Sequence, residues 1–173
     1  MAGPAGLLAS HGMAVYVPHY FERTGTTEIA DKMTIMRNFP AWMKTMWDCM
    51  SFVEKLRQTD PARIGGMGFS LGAYLVVASA TIDQRIKAVV EISGGLPKEM
   101  KLFMRRICPM LVLHGAEDGV VPVSEADHLQ QVLEKKGVPY EMKIYPGAGH
   151  SLHGEVWVDA EARALAFLKK YLA

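Results

Sequence analysis

Five short runs of this chain, residues 13–17, 63–67, 86–92, 110–114 and 140–145, are rich in Val, Ile and Tyr. Several of them lack polar alternation. A strand with one wet face alternates polar and apolar residues, whereas a near-continuous apolar run fits a parallel sheet covered on both faces. Longer segments of helical periodicity lie between these runs. Phe39, Trp42, Met43, Met46, Met50 and Val53 recur at three- and four-residue spacing and make one apolar stripe. Pro40 suits the first turn of that helix, and the methionines in it read as core filling. Ser124 is expected to cap the next helix, with Asp127 three residues on. Ala126, Leu129, Val132 and Leu133 form its buried face, and Gly137 stops it. A last helix is expected from about Glu155, with Leu165, Leu168 and Leu172 on one side.

Strand and helix in alternation are the signature of right-handed βαβ units, so the expected class is α/β with helices on both faces of a mostly parallel sheet. A length of 173 residues suggests one domain, 1–173. Two irregular stretches, 18–37 and 94–109, leave the C-terminal ends of expected strands, where α/β proteins place their ligands.

Composition narrows the function classes. A net charge of +1, with scattered lysines and arginines, asks for neither nucleic acid nor an acidic membrane. No apolar run approaches the roughly 20 residues of a membrane span. The first residues are apolar but lack a basic leading region, so they do not read as a signal peptide, and a cytoplasmic protein is expected. Cys49 and Cys108 stand in no CxxC or metal-ligand spacing, so two buried free thiols and no metal are expected, with a disulfide between them as the alternative.

The sharpest motif is Gly68-Phe69-Ser70-Leu71-Gly72. It follows the run 63–67 and opens the apolar helix 73–80, the strand–turn–helix setting of a G-x-S-x-G elbow. A turn this tight strains the serine and pushes its hydroxyl into the open. Side chains two residues before and after it would collide, so those places take glycine. The amide of Leu71, at the helix N-terminus, then points at a developing oxyanion. The bland alternative is a glycine-rich βα turn with a capping serine.

A serine hydroxyl is a weak nucleophile and needs a base, and the base needs a partner to hold its tautomer. Asp118 and His150 follow Ser70 in that order, each just past an expected strand, so all three gather at one edge of a parallel sheet. Asp118 could instead be an Asp-Gly turn residue. Glu117 is a rival acid, His153 a rival base on the same loop as His150, and His114 is expected to make loop hydrogen bonds.

These residues resemble the dienelactone hydrolase family of α/β-hydrolases. The resemblance rests on residues 60–73 around the elbow, on Leu113-His114-Gly115-Ala116-Glu117-Asp118 with Val121-Pro122, and on Tyr145-Pro146-Gly147-Ala148-Gly149-His150. Residues 7–18 resemble the family's helix and strand before its first long loop. The resemblance implies a Ser70, Asp118 and His150 triad that hydrolyses a small ester or thioester through an acyl-enzyme, with no cofactor. Three departures qualify it. The dienelactone hydrolases proper use cysteine where this chain has Ser70. They carry an arginine shortly after the histidine, where this chain reads Ser151-Leu152-His153-Gly154. Gly66 also interrupts the strand before the elbow, which should weaken it slightly.

The resemblance implies an eight-stranded sheet, of which the five runs match the last five. The first three strands are then absent, and with them the loop that donates the second oxyanion amide. Losing one such donor costs about 10²–10³ in rate. Two expectations follow: a shortened hydrolase with a gap beside residues 13–17, or a rearranged one in which that strand pairs directly with 63–67. An exposed edge also admits a homodimer. The competing functional reading is a non-enzymatic fragment or binding module retaining the triad residues. Tyr20, Phe21 and parts of 94–106 are expected pocket walls; Arg105 and Arg106 read as a solvated loop, with an anion site as the alternative.

Overall fold

A computed structural model describes residues 3–28, 31–100, 104 and 106–173. The chain divides into two compact units, Met1–Pro61 and Ala62–Ala173.

In the first unit, α1 (Pro4–Ser10) has its proline in the opening turn, where a missing amide costs nothing. A short 3₁₀ turn spans Tyr20–Thr24. The long helix α2 spans Lys32–Val53. It starts well before the expected place because the Asp31 carboxylate caps it, accepting the Thr34 amide at 2.7 Å. Pro40 therefore lies inside the helix rather than in its first turn. The early turns escape periodicity analysis because Met33 and Met36 are exposed, so no buried stripe marks them. Trp42 is fully buried and packs against Tyr20 and Phe21, with ring centroids 5.8 and 5.1 Å away. Its indole N–H donates to Thr24 Oγ1 at 2.8 Å.

Residues 13–17 form no strand. A strand exists only as one side of a hydrogen-bonded ladder, and the sheet holds four strands in the order β1-β2-β3-β4, with β1 at its edge. The expectation of five strands is thereby corrected to four, 13–17 being irregular.

The second unit is the α/β part. It runs β1 (Ile64–Phe69), α3 (Leu71–Ile82), β2 (Ile86–Ile92), β3 (Met110–Gly115), α4 (Ser124–Lys135), β4 (Tyr140–Tyr145) and α5 (Gly154–Leu172). All neighbouring strands pair in parallel. β2 and β3 are buried almost throughout, as their unbroken apolar runs require. Neighbouring glycines of β1 show what covers each face. A Cβ on Gly66 would stand 2.2 Å from Val76 of α3, and one on Gly65 would stand 2.8 Å from Leu172 of α5. Gly66 is thus more than a weak point in its strand: it lets α3 approach the sheet.

Ser124 does not cap α4. Val123 is already wound in the helical region and stands at the capping position, so Ser124 is the first helical residue. The first amides are taken by backbone instead: Glu125 donates to Pro122 O at 2.9 Å and Ala126 to Val123 O at 2.9 Å. The other end is as expected. Gly137 adopts φ +63°, its N–H donates to Glu134 O, and Val138 N–H donates to Leu133 O, the paired bonds of a Schellman stop.

Candidate active site

Ser70, Asp118 and His150 all lie in the second unit, each just beyond the C-terminal end of a strand. Ser70 sits between β1 and α3 with φ 52° and ψ −122°, in the region that non-glycine residues avoid. The surroundings hold it there. Its N–H donates to Ile92 O at 2.9 Å, tying the elbow to the end of β2, and its carbonyl accepts the amides of Ala73 and Tyr74. A Cβ on Gly68 would lie 2.3 Å from the carbonyl oxygen of Gly72, so strand and helix meet only because this position has no side chain. Leu71 is the first residue of α3. Its amide has no carbonyl within the helix to bond, and it stands at the positive end of the helix dipole.

Asp118 is anchored by its own turn. Its Oδ1 accepts the amides of Val120 and Val121, both at 2.8 Å. Its Oδ2 lies 2.8 Å from His150 Nδ1. Turn residue and histidine partner, set against each other as alternatives, are therefore one arrangement, with one oxygen assigned to each. Burial raises the carboxyl's pKa, but the bonds from His150 and from the Val121 and Val120 amides outweigh it and hold it below the usual carboxylate range.

His150 is carried by the loop after β4, and that loop is stitched to the one carrying Asp118. Ala116 N–H donates to Tyr145 O at 3.0 Å and Glu117 N–H to Ala148 O at 2.9 Å. A Cβ on Gly115 would stand 2.3 Å from the carbonyl oxygens of Ala148 and Gly149. The far imidazole nitrogen, Nε2, lies 2.9 Å from Ser70 Oγ. With Asp118 accepting at Nδ1, that nitrogen carries the proton and Nε2 is free to accept from the serine hydroxyl. The Phe69 ring lies 5.0 Å from the imidazole and is 43% exposed, an apolar surface at the rim of the site.

The rival residues are placed elsewhere. Glu117 is exposed and engages the His150 loop through its amide alone. His153 is exposed at the start of α5. His114 is fully buried, with Nε2 2.9 Å from Val121 O and 3.3 Å from Asp118 Oδ2, which makes it a prop for the acid's turn. Arg106 donates to Gln84 O at 3.1 Å; Arg105 lies outside the described residues. Tyr20 and Phe21 belong to the first unit.

One residue of the site's surroundings escaped the sequence reading. Glu91, in β2, is fully buried, and its Oε1 accepts the Gly94 N–H in a short bond. A lone carboxyl in the otherwise apolar end of run 86–92 was the available signal. Among the described residues no group of His, Cys, Asp and Glu could hold a metal ion, and no helix is long and apolar enough to cross a membrane. Both cysteines are free; Cys108 is buried, which pushes its thiol up to about 11, whereas Cys49 is only half-buried, against the expectation of two buried thiols.

Comparison with known proteins places these features in context. The family model described as "Dienelactone hydrolase family" matches residues 5–169. An acyl-protein thioesterase 1 of Gibberella zeae is 31% identical over 121 residues, covering 65% of this chain and 49% of that protein. The carboxylesterase SOBER1 of Arabidopsis thaliana is 28% identical over 100 residues, covering 54% and 44%. The chain thus spans about half the length of the curated relatives it matches. Among solved structures, esterase PE8 superposes with a TM-score of 0.70 at 23% identity, covering 85% of this chain and 68% of that one. A dienelactone hydrolase-like promiscuous phosphotriesterase, P91, from metagenomic libraries superposes at 0.67 and 17% identity, covering 82% and 66%. At such identities these structures speak to the fold alone, and the fold is that of the α/β-hydrolases.

Proposed function

The chain belongs to the dienelactone hydrolase family, and from that premise we propose that it is a serine hydrolase cleaving a small carboxylic ester or thioester through an acyl-enzyme. One observation carries the reading: the unbroken hydrogen-bonded line from Asp118 through His150 to Ser70 Oγ.

In this reading Ser70 Oγ attacks the acyl carbon as His150 Nε2 takes the hydroxyl proton. The carbonyl oxygen gathers negative charge and turns to the Leu71 N–H. Asp118 steadies the imidazolium that forms. Collapse of the tetrahedral intermediate expels the alcohol or thiol, which leaves with the proton from Nε2. Water, deprotonated by the same nitrogen, then attacks the acyl-serine and restores the enzyme. The lack of an arginine at 151–154 speaks against an anionic dienelactone substrate. The exposed Phe69 ring favours an uncharged, apolar acyl or alcohol group.

A fluorophosphonate probe and a p-nitrophenyl acetate assay test the proposal together. Wild-type protein should label at Ser70 and release nitrophenolate. Ser70→Ala should lose labelling and at least about 10³-fold of the rate. Folded wild-type protein that neither labels nor turns over would replace this reading with a non-enzymatic module that retains the three side chains.

A further inference from the structure

The elbow is braced from β2 by a carboxyl group that the mechanism above does not use. Glu91 pairs in register with Gly68 of β1 and Val112 of β3. Alternation along parallel strands puts its side chain on the face that carries Gly66, Gly68 and His114. That is the face covered by α3, since Cβ atoms on Gly66 and Gly68 would strike α3. The carboxyl is fully buried there. Its Oε1 accepts the Gly94 N–H, and its Oε2 has no partner. Gly94 in turn leaves no gap against the elbow: a Cβ on it would stand 2.5 Å from the Ala73 Cβ and 3.0 Å from the Ser70 carbonyl oxygen. Ser93, between them, is held at φ 53°, and its N–H donates to Leu113 O at 2.9 Å.

We propose that Glu91 is a positioning residue for the nucleophile: through the Gly94 amide it clamps the segment after β2 against the Ser70 carbonyl and so fixes the elbow. This deepens the reading of Ser70 as a nucleophile and rests on it.

The clamp works in the protonated form. The titratable groups on the elements packed around Glu91 are Tyr74 of α3, His114 of β3, Asp118 beyond it and Glu125 of α4. Among the described residues Glu91 forms no ion pair. Burial without a counter-charge pushes its carboxyl up to about 8, against a smaller downward pull from the Gly94 bond. Loss of the proton would leave an unpaired charge in the sheet. Relief of that charge requires water to reach the carboxylate, which means parting Gly94 from the elbow.

The test is the rate of fluorophosphonate labelling of wild type, Glu91→Gln and Glu91→Leu between pH 6 and 9.5, with folding followed by circular dichroism. Glutamine keeps the acceptor and cannot ionise. Wild-type labelling should fall roughly tenfold from its plateau by pH 9 and recover on return to pH 7, as expected for a group titrating one unit lower. Glu91→Gln should label at pH 7 within a few-fold of wild type and hold its plateau to pH 9.5. Glu91→Leu should be at least tenfold slower at pH 7 when folded, and a Leu variant that does not fold leaves the decision to the glutamine variant. A Gln profile that falls in parallel with wild type, or a wild-type profile that stays flat, overturns the proposal while leaving the nucleophile reading intact. Wild type that never labels defeats both.

Discussion

Asp118 divides its two oxygens between two tasks, and a single substitution separates them. Oδ1 holds the turn through the Val120 and Val121 amides, while Oδ2 faces His150. In Asp118→Asn the amide oxygen must stay with the two backbone donors, so the NH₂ group faces Nδ1. The imidazole then accepts at Nδ1 and carries its proton on Nε2, pointing at a hydroxyl that has nowhere to send its own. Hydrolysis of p-nitrophenyl acetate should drop about 10⁴-fold, with the circular dichroism spectrum unchanged. Gly68→Ala should fail differently. Its new Cβ meets backbone at 2.3 Å, which no side-chain rotation relieves, so labelling of Ser70 and thermal stability should fall together, by about 2 kcal/mol or more. Ser70 and its glycines were readable in the sequence because the elbow is a matter of local backbone sterics. Asp118 and His150 were readable because each follows a strand by a few residues. Glu91 was not, since a carboxyl in a strand gains meaning only from the depth at which tertiary packing leaves it.

Elements declare themselves in the sequence when both their faces, or one whole stripe, are buried. β2 and β3, buried almost throughout, follow the runs 86–92 and 110–114, β3 with one residue added; β4 also keeps its bounds, but as a half-buried edge strand in which Glu141 and Lys143 alternate with apolar residues. Residues 13–17 have similar composition and form no strand, because composition cannot supply a partner for the ladder. The opening turns of α2 carry exposed methionines, and what starts them is one carboxylate, Asp31, that no periodicity marks. The stop of α4 is a signal of the readable kind, and it offers a clean measurement. Gly137 has φ +63° and open space around its Cα. Gly137→Ala therefore strains backbone without any clash and should cost about 1 kcal/mol. In a chain of this size that lowers the melting temperature by roughly 2–4 °C, with labelling of Ser70 unaffected. Gly66→Ala, by contrast, meets a stiff, buried Val76 at 2.2 Å. It should cost more, about 1–3 kcal/mol, and differential scanning calorimetry of the two variants ranks strain against collision.

At the scale of the whole molecule, two of the buried carboxyls, Asp118 and Glu91, make stability depend on pH in separate windows. Asp118 has a folded pKa below its ordinary value. Its contribution is present above about pH 4 and disappears as acid protonates the folded form. Glu91 works in the opposite sense, because its folded pKa, about 8, lies above its unfolded value near 4.5. Below pH 4.5 both states hold the proton and burial of the acid carries no penalty of ionisation. Between 4.5 and 8 the unfolded chain releases the proton while the folded one keeps it, so unfolding becomes easier as pH rises. The slope across that window is about 1.4 kcal/mol per pH unit for one group, and it ends where the folded carboxyl itself ionises. Glu91→Gln removes the group from both states. The difference in unfolding free energy between Glu91→Gln and wild type should therefore grow steadily from pH 5 to pH 8 and level off above it. Urea titrations of the two proteins at half-unit steps measure that difference directly, and groups common to both proteins cancel. A difference that stays constant from pH 5 to 8 would mean that Glu91 is ionised in the fold, with a cation or solvent reaching it, and the burial on which its high pKa depends would have to be abandoned.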